Sequence, residues 1–589
     1  LLASWSTLQD WLQRGAADHA VRARVEQAAA EWERMGRARD LLWGRRQLAE
    51  VEALELDSLA PREAAFLDAA RSAVRRRRLL GAGGAAMVAV GAVAVSLAVR
   101  ARARHQLDSL VEDQLLAATI ARDAAQQIAE DRDVDRNRAF VLFDARDWPQ
   151  AEVVWKSVEA KAPDEDLQFR SASTSLENAL SLDPNRADLR ARFADLLFER
   201  LLRAERDHHP ELAKELEGRL GNYDDDYHYR AARAAPAHVQ LEVVPAGAEV
   251  WSEPPDGARR REGQAPLAEL PLSPGSVILS FEAPGHVAAR LPVLLAPGER
   301  RVLRVALPPA PAPRGMIYVP PGRFLFGSAD SGSEDASDMR VGFMKTAPLH
   351  EVATAGYFIG RYEVTFAEWI EFLDDLAPNE RRRRTPNGAS TPSSVALVEL
   401  GPKRWRLEMM PTKNWMYTAE TGQRLRYEGR AKRAEQDWTK FPVTGVSYED
   451  AVAYAVWLDR TGRVPGARLC DEHEWERAAR GADGRIFPSG KPLETDDANI
   501  DVTYGQNDLA FGPDEVGSHP ASRSPVGADD MAGNAWEWTR SVAKPEQQTI
   551  MRGGCSFTSA LNARSMNREL VGPTTRHPQI GVRLCATPR

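Results

Sequence analysis

The chain has 589 residues, 43% hydrophobic and 28% charged, with a net charge of −8. That length predicts two to four domains with real cores. No basic domain or long basic tail points to a nucleic-acid partner, and the run Arg381–Arg384 reads as a solvated loop in a polar stretch.

The three cysteines, Cys470, Cys555 and Cys585, form neither a disulfide framework nor a zinc pattern. A Cys555–Cys585 bridge and two reduced cysteines are equally compatible with the count. The sequence starts at Leu1-Leu2, with no methionine or signal peptide, and reads as a fragment of a longer protein.

Residues 1–78 predict helices. Trp5, Leu8, Trp11 and Leu12 share a face; Val25, Ala29 and Trp32 keep the period, as do Leu41, Leu42, Leu48 and Val51. Asp57-Ser58 ahead of Pro61 marks a helix start for Pro61–Arg78. The phrases "EWERMGRARDLLWGRRQLAEVEAL" and "LAPREAAFLDAARSAVRRRR" resemble the tail that closes the NTPase unit of large bacterial signalling proteins. That resemblance implies an upstream unit, since no G-x-x-x-x-G-K-[ST] loop occurs here.

Leu79–Val99 carries no charge between Arg75–Arg78 and Arg100, and predicts a transmembrane helix. Gly81, Ala85 and Ala89 form a small-residue stripe able to pair two such helices in a homodimer, although low-bulk composition explains it as well. The arginine excess before the span places that side in the cytoplasm, and everything after residue 100 outside a bacterial inner membrane.

Residues 100–235 predict charged juxtamembrane helices. Within them "LENALSLDPNRADLRARFADLLFERLLRAE" resembles one tetratricopeptide-type hairpin, which cannot bury its own face alone. From His238 the hydrophobic period switches to two. Val277–Phe281, Leu291–Leu295 and Val302–Leu307 follow, punctuated by Pro-Gly pairs. Residues 236–308 thus read as a small β-sandwich, and "VPAGAEVW" with "LSPGSVILSFEAPGH" resembles the PEGA-type module. A stiff Pro-rich linker covers 309–314.

The last stretch, 315–589, carries five ordered motifs: "MIYVPPGRFLFGS", "YFIGRYEVTFAEWIEF", "RLCDEHEWERAARG", "PVGADDMAGNAWEW" and "MRGGCSF…IGVRLCATPR". Together they resemble the formylglycine-generating, or sulfatase-modifying-factor, family. The resemblance implies a mixed α/β fold related to C-type lectins. Helices are predicted over Thr365–Leu373, Tyr448–Asp459 and Asp471–Arg480, the last with Asp471 as N-cap and Glu474 completing a capping box. The whole layout also resembles bacterial proteins that join a serine/threonine kinase or NTPase to this domain.

The same resemblance implies calcium, held by the carboxylates of Asp530 and Glu537 and the carbonyls of Gly533 and Ala535. Asn499 and the Ile500 carbonyl match a second site, completed by Asp508 or Asp514. Turn-capping acids beside core Trp536 and Trp538 are the plainer alternative. The family's oxidase chemistry implies copper(I) on a close cysteine pair, yet Ser556–Arg564 contains no cysteine. Only Cys555 and Cys585 remain as thiol candidates for catalysis, while Cys470 reads as a packed small hydrophobe. His350, His473, His519 and His577 lack the spacing of an iron-binding triad, and Arg477 stands where a zincin would carry its second histidine. Arg564, Asn567 and Arg568 lie on the segment that floors the family's substrate cleft, where they would bind a polar or peptide ligand or form surface salt bridges. The expectation is a membrane-anchored signalling fragment whose last domain is a non-catalytic module binding a protein or peptide ligand. The alternatives are an oxidase with an atypical site and a structural adhesion unit.

Overall fold

The structure, a computed structural model, describes residues 3–52, 59–255, 257–329, 338–413, 415–544 and 547–588, with side chains 3–15, 17, 18, 80–86 and 338 outside that description. The chain divides into two compact units, Leu1–Asp113 and Gln114–Arg589.

The first unit holds α1 (Ala3–Arg34), α2 (Arg45–Glu50) and the opening part of α3 (Pro61–Asp144). Val25, Ala29, Trp32, Leu48, Val51, Phe66 and Leu67 close its core. Trp32 and Trp43 both meet the Phe66 ring edge-on, at 5.6 Å. Trp5, Leu8, Trp11 and Leu12 fall on α1 as predicted, with their side chains outside the description, and the start signal Asp57-Ser58 lies outside the described residues. Glu63 supplies a start of its own, its carboxylate accepting the Ala60 N–H at 3.0 Å.

The expected membrane span over 79–99 is corrected here. Among the described residues no helix is long and apolar enough to cross a membrane, which goes against a single-pass inner-membrane protein. Residues 79–99 are a part of the long helix α3. The pairing stripe falls with the span, and Gly81 and Ala85 lie outside the described side chains.

In the second unit the rest of α3 is followed by α4 (Trp148–Leu182), α5 (Ala187–Arg206), α6 (Pro210–Leu220) and α7 (His228–Ala234). The hairpin turns at Asp183–Arg186, but its first helix begins at Trp148, well before the repeat-like phrase. Leu189, Phe193, Leu196, Leu197 and Leu201 of α5 are fully buried. The hairpin is tied to α3 by Glu199, which accepts from Arg122 and Gln126, each at 2.7 Å.

The small β-domain has alternating buried residues Ala237, Val239, Leu241 and Val243 along its first strand, as a half-buried strand requires. Ala237–Val244 lies between Leu267–Leu272 and Arg300–Ala306. Glu249–Glu253, Arg260–Gln264, Gly275–Glu282 and Ala289–Leu295 form the second layer. That layer continues through a parallel pair, Ala289 with Tyr318, into the strand Met316–Val319. One eight-stranded sheet therefore crosses the Pro-rich segment.

The last part adds α8 (Phe366–Asp375), α9 (Pro378–Arg384), α10 (Tyr448–Arg460) and α11 (Glu472–Arg480) among short strands. Thr365, Ser447 and Asp471 each close a capping box with the third residue of the helix that follows. Arg381–Arg384 fall on α9 rather than on a loop, with Arg381 paired to Glu399 at 2.7 Å. Trp369, Trp405, Trp438, Trp475 and Trp538 are buried at the centre. The strands Ala467–Leu469 and Leu584–Ala586 pair and bring Cys470 to Cys585, which form a disulfide with Cα atoms 4.8 Å apart. Neither the Cys555–Cys585 bridge nor a lone Cys470 is formed; Cys555 is a buried thiol.

Candidate functional site

The strand Trp536–Ala543 lies parallel to Ile580–Val582, which places Arg583 under the Asp530–Glu537 loop. Glu537 and Arg583 are fully buried. The Arg583 guanidinium donates to Glu537 at 2.8–3.0 Å. It also donates to the carbonyls of Asp529 at 3.0 Å, Asp530 at 3.2 Å, Gly360 at 2.9 Å and Arg361 at 3.0 Å. The Trp475 indole donates to Glu537 at 2.5 Å. Asp530 accepts the Gly517 N–H at 2.5 Å, and burial pushes its carboxyl up to about 6. Burial, then the neighbouring Asp530, drives Glu363 well above the usual carboxylate range.

The second predicted set is built alike. Asn499 donates to the Gly512 carbonyl at 3.0 Å and to Asn534 at 3.1 Å, and the Ile500 carbonyl accepts the Thr503 N–H at 3.1 Å. Asp514 is fully buried and accepts from Arg430 at 2.5 Å and from Gln436, Tyr504 and the His519 ring at 2.7 Å. Burial opposes its ionisation, but the Arg430 guanidinium holds its carboxyl far below the usual range. Arg430 stacks on Tyr427 and Tyr504 at 3.5 and 3.9 Å. Asp508 is exposed. Arg583 occupies the Glu537 carboxylate of the first set and Arg430 the Asp514 carboxylate of the second, so those two acids do not fit a calcium ion as they stand. Among the described residues no group of three or more His, Cys, Asp or Glu side chains gathers as a metal site.

The thiols fare no better for copper. Cys585 is committed to Cys470. Cys555 is completely buried, its sulfur 3.5 Å from the Gln579 amide oxygen, and burial pushes the thiol up to about 11. A thiol that stays protonated and has no second sulfur beside it does not suit copper(I). The cleft lined by Ser393, Met409, Gly512, Asn534, Ser556 and Gln579 holds only about 20 Å³, room for roughly one water. Ser393 and Met409 belong to the strands Ser393–Gly401 and Arg404–Thr412, which lie over it.

Arg564, Asn567 and Arg568 do not gather at that cleft. Arg568 is 1% exposed; it donates to Glu472 at 2.8 Å and stacks on Trp148 at 3.7 Å. Asn567 is buried and donates to the Asn562 carbonyl at 2.9 Å. Arg568 instead helps to fasten the helical layer. Beside it Arg146 donates to Glu472 at 3.0 Å and to both oxygens of Asp471 at 2.7 and 2.8 Å. Arg340 pairs with Glu152 at 2.7 Å. His350 stacks on Phe140 at 4.3 Å with its ring nitrogen 3.1 Å from Asp144, and His473 also lies near Asp144, at 3.6 Å. Both histidines thus lie against the end of α3. Sequence reasoning missed Arg430 and Arg583 as the cations of the two loops, and Arg146 and Glu472 as the fastening pair. Arg583 lies inside a quoted motif, but nothing local signals its partner.

Residues 305–588 match the model of the sulfatase-modifying factor enzyme 1-like domain. The hercynine oxygenase of Mycobacterium tuberculosis is 33% identical over 217 residues, covering 36% of this chain and 44% of that protein. The chain thus spans less than half the length of the hercynine oxygenases it matches. The inactive Cα-formylglycine-generating enzyme 2 of Mus musculus is 30% identical over 254 residues, 42% of this chain and 75% of that one. The serine/threonine-protein kinase Pkn1 of Chlamydia trachomatis is 25% identical over 304 residues, 48% of this chain and 40% of the kinase.

Proposed function

Since the chain belongs to the sulfatase-modifying factor family, we propose that its last domain is a non-catalytic module that binds a protein or peptide ligand, carried on a signalling protein. One observation carries the reading: the only thiol left outside the disulfide, Cys555, is sealed in the core beside a cleft of about 20 Å³. A copper-dependent formylglycine-generating oxidase needs an accessible thiolate pair and room for a peptide. The mouse relative, named inactive, is a member of the same kind. The kinase relative supports a signalling setting.

The test is turnover. The full chain is incubated with copper(I), oxygen and a Cys-Thr-Pro-Ser-Arg peptide, and in parallel with iron(II), oxygen, hercynine and a thiol. Mass spectrometry should find neither formylglycine nor an oxygenated hercynine product. Conversion in either arm that follows protein concentration contradicts the proposal.

A further inference from the structure

Within the second unit, α3 to α6 and the Pro348-Leu349 segment enclose a cavity of about 440 Å³, inside the range of small-ligand sites, roughly 300–1,000 Å³. Its apolar walls include Phe140, Trp155, Leu212 and Leu349. Its polar wall carries six arginines, Arg132, Arg136, Arg170, Arg200, Arg203 and Arg206, beside the acids Glu159, Glu165, Asp166 and Asp207 and the histidines His208 and His209.

Four carboxylates serve these six cations, each shared by two. Asp207 takes Arg132 at 2.6 Å and Arg136 at 2.5 Å. Glu165 takes Arg132 at 3.0 Å and Arg203 at 3.6 Å. Asp166 takes Arg170 and, at 3.4 Å, Arg200. Asp133 takes Arg206 and, at 3.6 Å, Arg203. Asp133 lies behind the wall, and the fourth acid that lines it, Glu159, accepts the Trp155 indole N–H at 2.8 Å. Positive charge remains in excess, and donors more so. Arg136 Nε is buried without a hydrogen-bond acceptor, and Arg203 Nη1 meets Asp133 and Glu165 only at 3.6 Å, beyond hydrogen-bond distance. Arg136 is only 8% exposed. Burial lowers the guanidinium groups of Arg136 and Arg200 from their ordinary value, which Asp207 and Asp166 only partly offset. Buried cationic donors without acceptors are costly. An oxyanion relieves both the charge and the donor deficit, because the arginine fork matches pairs of carboxylate or phosphate oxygens.

We propose that this cavity binds an amphipathic organic anion, with a carboxylate or phosphate head on Arg136 and Arg203 and an apolar body against Phe140, Trp155 and Leu349. The site stands apart from the closed cleft and does not depend on whether the domain is catalytic.

Isothermal titration of the full chain with decanoate, decyl phosphate, neutral decanol and inorganic phosphate tests it. One molecule of either amphipathic anion should bind per chain, and the tighter of the two identifies the head group. Decanol should bind about tenfold more weakly or worse, for want of charge-assisted hydrogen bonds, and inorganic phosphate should be weak for want of an apolar body. Arg203→Gln should weaken the anions about tenfold. Leu212→Trp, which fills the cavity and leaves every arginine in place, should abolish binding and serves also if Arg203→Gln fails to fold. The proposal is overturned if neither anion binds, if decanol binds as well as the anions, or if folded Leu212→Trp keeps wild-type affinity.

Discussion

Replacing Glu472 by Gln should unfasten the helical layer, with a dependence on pH that identifies the cause. Glu472 is completely buried at the start of α11. Its carboxylate accepts from Arg568 at 2.8 Å and Arg146 at 3.0 Å, with Arg552 at 3.9 Å. Burial alone would raise its carboxyl above the ordinary 4.5, but Arg568, then Arg146, bring it down to about 2. Burial lowers Arg568 in turn to about 10, which leaves it charged at neutral pH. The gap between 4.5 and about 2 corresponds to about 3 kcal/mol of stability. Loss of one partner from a buried ion pair costs about 3–5 kcal/mol by an independent route, so the two figures agree. The sign follows from the depressed carboxyl. The contribution is fully present above about pH 4.5 and is lost as pH falls toward about 2. Urea unfolding of wild type and Glu472→Gln, followed by tryptophan fluorescence between pH 7 and pH 2, measures the difference. It should be about 3 kcal/mol at neutral pH and shrink steadily in acid. A difference that stays constant with pH, or one below about 0.5 kcal/mol at pH 7, would refute the electrostatic account.

Three other outcomes are expected. Gly533→Ala places a Cβ against the Asn499 carbonyl at a residue with φ +82°; strain there costs about 1–2 kcal/mol before the clash, so scanning fluorimetry should show a lower Tm. Arg477 is 1% exposed and, among the described residues, donates only to the Thr354 hydroxyl, at 2.6 Å, with its other terminal nitrogen unpartnered. Because such a charge is buried at a loss, Arg477→Met should raise Tm, and a fall in Tm would show that the charge stabilises. Under non-reducing conditions a thiol reagent at pH 8 should find no cysteine in the native chain and one in denaturant, namely Cys555, as its burial and thiol value of about 11 require.

What the sequence disclosed was local. The three capped helices were readable because Thr365 with Glu368, Ser447 with Asp450 and Asp471 with Glu474 each act within one turn. The first strand of the β-domain was readable from the alternation of Val239, Leu241 and Val243. The uncharged run 79–99 satisfied a length and charge rule, yet charge-free composition does not by itself distinguish a span from a stretch of a long helix. The site depended on pairs far apart in sequence. Arg583 and Glu537 are 46 residues apart, and Arg430 and Asp514 are 84 apart. An arginine beside a motif gives no local sign of which carboxylate it will neutralise. Three cysteines allow three pairings, and only the strand register selected Cys470 with Cys585. The fastening of α3 and α4 onto α11 through Arg146 was invisible for the same reason.

The most direct test of the non-catalytic reading is copper(I) affinity, measured anaerobically on the full chain with its Cys470–Cys585 disulfide kept intact, against a chelating indicator. With Cys555 buried and no adjacent thiolate, the chain should take no copper from the indicator. Tight binding of one copper(I) per chain that disappears in Cys555→Ser would contradict the account and place a copper centre on this thiol.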